Sequence, residues 1–190
     1  NLKQLLDEKI TALDLQINHL QAIRTTICTH RQNMDTLLTM DLSEISIIEK
    51  EECCLVTVDI KKDTSFETAV ELITAETEKY HVGRLHEASY GSMISIDSLK
   101  KRDFDDYSKL FIEIPFLACR DGLHISPGGK YLRAFHKGDW DGLPRRYEEI
   151  FSYAGKHGLT LHGFSYEMCI NENVIDRIED YIVQIDIPIQ

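Results

Sequence analysis

The sequence predicts an α+β fold in which a long coiled-coil helix precedes two copies of a β-α-β-β unit. Three observations lead there. The stretch from Leu2 to Leu38 contains neither Pro nor Gly. LHEASYGSMI at 85–94 and LHGFSYEMCI at 161–170, 76 positions apart, share Leu, His, Ser, Tyr and Ile at matching places. Ile112, Ile114 and Pro115 recur 73 positions later as Ile185, Ile187 and Pro188, the pattern of a duplicated unit whose first copy has the longer hairpin loop.

The helix is assigned to residues 1–40. Leu6, Ile10, Leu13, Ile17 and Leu20 follow the alternating four-and-three spacing of a coiled-coil seam, which Arg24 interrupts before Ile27 resumes it. So narrow an apolar stripe calls for a partner helix, and a homodimer through this segment is expected. The competing reading is a helix that packs on its own domain. DLSEISIIEKEE, residues 41–52, is polar and acidic and reads as a linker to a globular domain over 53–190.

Within that domain the repeats span about 53–116 and 130–189. CCLVTVDI is short and β-branched; Thr64-Ser65-Phe66-Glu67 then fits a capping box, and Phe66, Val70 and Ile73 continue with helical spacing. LHEASYGSMISI and YSKLFIEIPF read as strands separated by the charged loop DSLKKRDFDD. After the Gly/Pro-rich break GLHISPGG, KYLRAFHK is the next strand. PRRYEEIFSYAGKHG is a helix with Pro144 in its first turn and Tyr147, Ile150, Phe151 and Ala154 on its buried face. LHGFSYEMCI and YIVQIDIPI close the second copy.

A net charge of −11 repels phosphate backbones and favours cationic partners. No apolar run is long enough for a membrane helix, and NLKQLLDEKI lacks the pattern of a signal peptide. Five cysteines without a C-x-x-C pair fit a reduced, cytoplasmic setting, and the eight scattered histidines lack zinc-ligand spacing. The chain opens at Asn1 rather than Met, so a preceding segment is expected.

Glu167 is the residue that asks for a function. By strand alternation it shares a face with Gly163, Ser165 and Cys169, whereas Phe164, Tyr166 and Met168 form a bulky opposite face expected to pack against the helices. A carboxylate among small residues marks a cavity. The matching place in the first copy is Gly91, so only one half supplies charge. An incoming cation would compensate a poorly hydrated carboxylate, with help from aromatic faces. Tyr181 at the start of the last strand, and Trp140 and Phe135 flanking HKGDW, are the aromatic candidates. The alternative is a solvated carboxylate, or one satisfied by a neighbouring tyrosine hydroxyl.

Two β-α-β-β units with HKGDW before the second helix, GFSYEMCI after it and a closing EDYIVQIDIPI resemble the GyrI-like effector-binding domain. The seam helix resembles the dimerisation helix of MerR-type regulators, and the two together cover nearly the whole chain. The resemblance implies a pocket of aromatics around a buried glutamate that accepts bulky lipophilic cations; the chain is expected to use no cofactor and to be a sensor, not an enzyme. Glu167 and Tyr181 carry over directly. Trp140 stands where the family often places Tyr, a departure that bears on ligand size, and Tyr107 and Phe66 are added from the first repeat. DNA would be contacted only through an N-terminal domain that this chain lacks. Two alternatives stay open: a hydrolase using Glu167 as general base, and an inhibitor that docks on a larger protein through its acidic surface.

Overall fold

The computed structural model describes residues 41–79, 90–114, 122–171 and 177–190, with scattered positions between Leu2 and Cys28. Asn1–Asp41 and Leu42–Gln190 form separate compact units. In the first, every described position from Leu2 to Cys28 is helical, and Leu6, Ile10, Leu13, Ile17 and Leu20 are 50–63% exposed. The expected continuation to residue 40, and Ile27 of the seam, lie outside the described residues, so a long coiled-coil helix is not shown.

The second unit is built on one antiparallel sheet. Its elements are β1 (Ser46–Lys50), β2 (Cys53–Asp59), α1 (Phe66–Glu78), β3 (Tyr90–Ser95), α2 (Ile96–Lys100), β4 (Tyr107–Ile114), β5 (His124–Ser126), β6 (Gly129–Lys137), α3 (Leu143–Lys156), β7 (Phe164–Cys169) and β8 (Ile182–Pro188). The order across the sheet is β1-β6-β8-β7-β3-β4-β2-β5. The two expected β-α-β-β runs, β2-α1-β3-β4 and β6-α3-β7-β8, therefore lie side by side. They meet at the antiparallel β3–β7 pair, where Ser92 stands opposite Glu167 and Gly91 opposite Met168.

Three stretches read as connections contain structure. Residues 46–50, inside the expected linker, form β1 and pair with β6 along the sheet edge. The expected loop after β3 begins with α2, whose cap Ser95 accepts from the Ser98 amide at 3.0 Å and which buries Ile96 and Leu99. The Gly/Pro-rich break holds β5, paired with β2. Each is short enough to escape a periodicity argument. The first helix also starts one residue late: Ser65 caps it by accepting from Thr68 N, while Thr64 Oγ1 accepts from Lys61 N.

Both long helices cover one face of the sheet. Ala69 and Ile73 of α1 pack on Val56, Leu110 and Ile112; Tyr147, Ile150 and Ala154 of α3 pack on Leu132, Ile185 and Ile187. The other face curls in on itself. Ser126 of β5 and Tyr131 of β6 are six strands apart in the sheet order, about 29 Å in a flat sheet, yet their hydroxyls are 3.0 Å apart. Leu55, Met93, Phe111, Tyr131 and Tyr166 fill the resulting hollow. Tyr166, with Phe164 and Met168 beside it, thus packs in this inner face and not under the helices. Both faces of β7 are buried, so residue bulk does not reveal which one meets a helix.

The same geometry corrects the reading of Gly91. Gly91 belongs to the inner face, across from Phe111, and a Cβ there would lie 2.1 Å from the Phe111 ring. Its lack of a side chain makes room for that ring. The residue that shares Glu167's face across the β3–β7 pair is Ser92, because a one-residue offset reverses the face in a strand. Among the described cysteines of this unit, Cys53 and Cys169 are thiols, while Cys54 is disulfide-bonded, which departs from the all-reduced expectation. Among the described residues no helix is long and apolar enough to cross a membrane.

Gly91→Ala is expected to destabilise the domain by about 1–3 kcal/mol through overpacking against Phe111. Urea denaturation should show this loss, and should show part of it recovered when Phe111→Leu is added. A neutral Gly91→Ala would contradict the close approach.

Candidate functional site

Glu167 sits in the middle of the sheet on the helix-covered face and is only 4% exposed. Two phenols hold it. Tyr107, at the start of β4, donates to Oε2 at 2.8 Å. Tyr147, from the buried face of α3, donates to Oε1, and its oxygen is 2.8 Å from Ser165 Oγ. The alternative in which a tyrosine satisfies the acid is therefore realised twice over, without closing the space beside it.

That space is a cavity of about 370 Å³. It is lined by Tyr90 and Ser92 of β3, Leu110 of β4, Glu167, Met168 and Cys169 of β7 and Val183 of β8, together with Trp140 and Tyr181. Backbone bonds set the two aromatics. The Gly138 amide donates to the Tyr181 carbonyl at 3.0 Å, at a positive φ of 115° that suits glycine. This ties the HKGDW turn to the start of β8. Asp139 Oδ1 accepts from the Asp141 amide at 3.1 Å and shapes the short 3-10 turn that presents Trp140. The buried side chain of Asn171 fixes the other strand end, donating to the Asp180 carbonyl at 2.7 Å and accepting from the Ile182 amide at 2.9 Å. The Trp140 and Tyr181 rings come to rest 5.6 Å apart.

The residues singled out from sequence separate into three groups. Glu167, Tyr181 and Trp140 line the cavity, and Tyr107 reaches it through its bond to Glu167. Phe135 does not line it: its neighbour Ala134 faces the helices, so alternation puts Phe135 on the inner face, opposite Gln184. Phe66 begins α1, and its side chain lies outside the described residues. Sequence reasoning missed the lining residues Tyr90, Ser92, Leu110, Cys169 and Val183, and it missed Tyr147, read only as helix core. A hydroxyl on the buried stripe of an amphipathic helix needs a partner, and that requirement was the available signal.

Burial dominates the electrostatics. It pushes the Glu167 carboxyl up to about 7, with the hydrogen bonds from Tyr147 and Tyr107 acting in the opposite direction. Both phenols are driven well above their ordinary value, by burial first and by the facing carboxylate second, so they remain donors. Among the described residues the cavity lining contains no Lys, Arg or His. Once ionised, the acid has two dipoles to lean on and no counter-charge from these residues.

Stability should follow this titration. Because the folded carboxyl holds its proton to a higher pH than the unfolded one, its contribution is full below pH 4.5 and is lost as pH rises through about 7. The loss is about 3 kcal/mol. Thermal unfolding from pH 5 to 8 should show a fall in the native protein that is flattened in Glu167→Gln, and parallel curves would contradict the buried acid.

Residues 58–190 match the GyrI-like small molecule binding domain. The multidrug-efflux transporter 2 regulator of Bacillus subtilis (strain 168) is 22% identical over 184 residues, which are 95% of this chain and 66% of that protein. The chain thus spans slightly less than two thirds of this relative's length. Among solved structures, the EcmrR–DNA complex matches with TM-score 0.58 and 15% identity over 97% of this chain and 71% of that one. The EcmrR C-terminal domain matches with TM-score 0.56 and 16% identity over 79% and 99%. A hydrolase from Listeria innocua matches with TM-score 0.53 and 11% identity over 84% and 98%. These structures share the fold, and with the family match extending over most of its length, the chain belongs to the GyrI-like small molecule binding domain family.

Proposed function

We infer that the chain is the effector-sensing and dimerising part of a transcriptional regulator of the MerR type, and that its effector is a bulky lipophilic cation bound beside Glu167. The observation that carries this reading is a carboxylate 4% exposed in an aromatic-walled cavity whose lining, among the described residues, offers no basic side chain. A ligand bearing delocalised positive charge supplies the missing counter-ion. The faces of Trp140 and Tyr181 add about 0.5–2 kcal/mol of cation–π attraction, and a cavity of this size suits a small organic molecule. The Bacillus subtilis relative's role as a multidrug-efflux transporter regulator is in keeping with such a ligand.

Dimerisation rests on the exposed stripe Leu6, Ile10, Leu13, Ile17 and Leu20, which a second copy of the same helix would bury. A charge of −11 disfavours phosphate contacts by the chain itself.

A second reading has one observation in its favour. A carboxyl at about 7 is poised to act as general base near neutral pH. The hydrolase reading requires turnover of an electrophilic small molecule that Glu167→Gln abolishes. The docking-inhibitor reading needs no cavity and is the weaker for the one seen here.

Calorimetric titration with aryl quaternary ammonium ions of increasing size separates these readings. Micromolar binding weakened about tenfold by Glu167→Gln, or about 1.4 kcal/mol, is expected. Because a cation binds the ionised acid, affinity should rise about tenfold from pH 6 to pH 8 in the native protein, with proton release, and stay flat in the variant. Absence of binding, or binding indifferent to both pH and substitution, would refute the cation-sensing proposal.

A further inference from the structure

The inner face of the curled sheet encloses a second cavity, of about 210 Å³, on the side away from Glu167. Its polar end is organised by Asp186, whose side chain is 2% exposed. Arg133 donates from Nε to Oδ1 at 2.7 Å and from Nη2 to Oδ2 at 2.8 Å. Lys50 Nζ donates to Oδ2 at 2.9 Å, and Gln184 Nε2 donates to the same oxygen at 3.1 Å. Two cations, each with a side chain only 26% exposed, therefore share one buried anion.

Lys50 and Arg133 balance Asp186 and Glu113 in the lining, but Asp186 is buried with its two cations whereas Glu113 is exposed. Arg133 Nη1 and two of the three Lys50 N–H bonds are not engaged by Asp186, so donors remain for another acceptor. Phe111, Tyr166, Leu55 and Met168 supply apolar wall beside them. This differs from the Glu167 cavity, whose described lining has an acid and no base, in setting two bases beside its acids.

We propose that this cavity is a second small-molecule site, one that takes a small apolar monocarboxylate. Its carboxylate bridges Lys50 and Arg133, and its apolar body lies against Phe111 and Tyr166. Charge-assisted hydrogen bonds to a carboxylate from partly buried cations are the strong class of polar contact. The protein would then read ligands of opposite charge on the two faces of one sheet.

Each cavity contains a thiol, Cys53 in this one and Cys169 in the other, which gives a site-resolved test. Alkylation of the two cysteines by N-ethylmaleimide is followed by peptide mass spectrometry with benzoate, with benzylammonium and with neither. Benzoate is expected to slow reaction at Cys53 and not at Cys169, and benzylammonium is expected to leave Cys53 unprotected. Lys50→Gln keeps the Arg133–Asp186 pair and should weaken benzoate protection about tenfold, with Lys50→Arg restoring it. The proposal is overturned if benzoate leaves Cys53 unprotected, if benzylammonium protects it equally, if benzoate protects both thiols alike, or if Lys50→Gln keeps full protection. The comparison of the two probes on the native protein decides the matter even if a variant folds poorly.

Discussion

A carboxyl group buried between two phenols is the interaction to which the rest of the domain is fitted. Tyr147 and Tyr107 reach Glu167 from different elements, α3 and β4, so both must be docked on the sheet before the acid is satisfied. Each phenol-to-carboxylate bond is worth about 1.5–3 kcal/mol, and an unpaired buried charge would cost more than either supplies. The surrounding packing serves this placement. Phe104 stacks on Tyr147 with ring centres 6.1 Å apart. The adjacent Arg146 donates to the carbonyls of Leu42, Ser43 and Glu44 at 3.1–3.2 Å, which ties the segment leading into β1 to the same helix. The acid therefore sits where movement of α3 and its own protonation are linked.

The sheet keeps two chemistries apart by the simplest device available to a strand, alternation. In β7, Glu167 turns toward the helices and Tyr166 toward the hollow, each one residue from the other. Curling lets the inner face bury its own aromatics without a covering layer, so both faces become interior. Space remains at the midline, where the two β-α-β-β runs meet and neither long helix fills the gap above Ser92 and Glu167.

The periodic signals of the second unit are seen, whereas the coiled-coil seam is not shown. The buried stripe Tyr147, Ile150 and Ala154 and the strand containing Glu167 stand where spacing put them, and Tyr181 and Trp140 line the same cavity as the acid. What was illegible has physical causes. β1, β5 and α2 are five residues or fewer, too short to show a period. Alternation tells which side chains share a face but not what covers that face, which is how the bulky side of β7 was assigned to the helices; Phe135 was chosen for its place beside the HKGDW turn, which does not fix its face. The alignment of Gly91 with Glu167 rested on identities around it, and in a strand an error of one residue carries a side chain through the sheet. Tyr147 was hidden because a phenol on a helix stripe looks like core until its hydroxyl is asked for a partner.

The central claim is that burial keeps the Glu167 carboxyl protonated to near-neutral pH while leaving it open to a charged ligand. Carbon-13 NMR of protein labelled at glutamate carboxyls, with the signal assigned by its loss in Glu167→Gln, measures this directly. The account predicts a titration midpoint at about 7. A midpoint in the ordinary glutamate range, near 4.5, would mean that the acid is solvated and that the pocket is not organised around it.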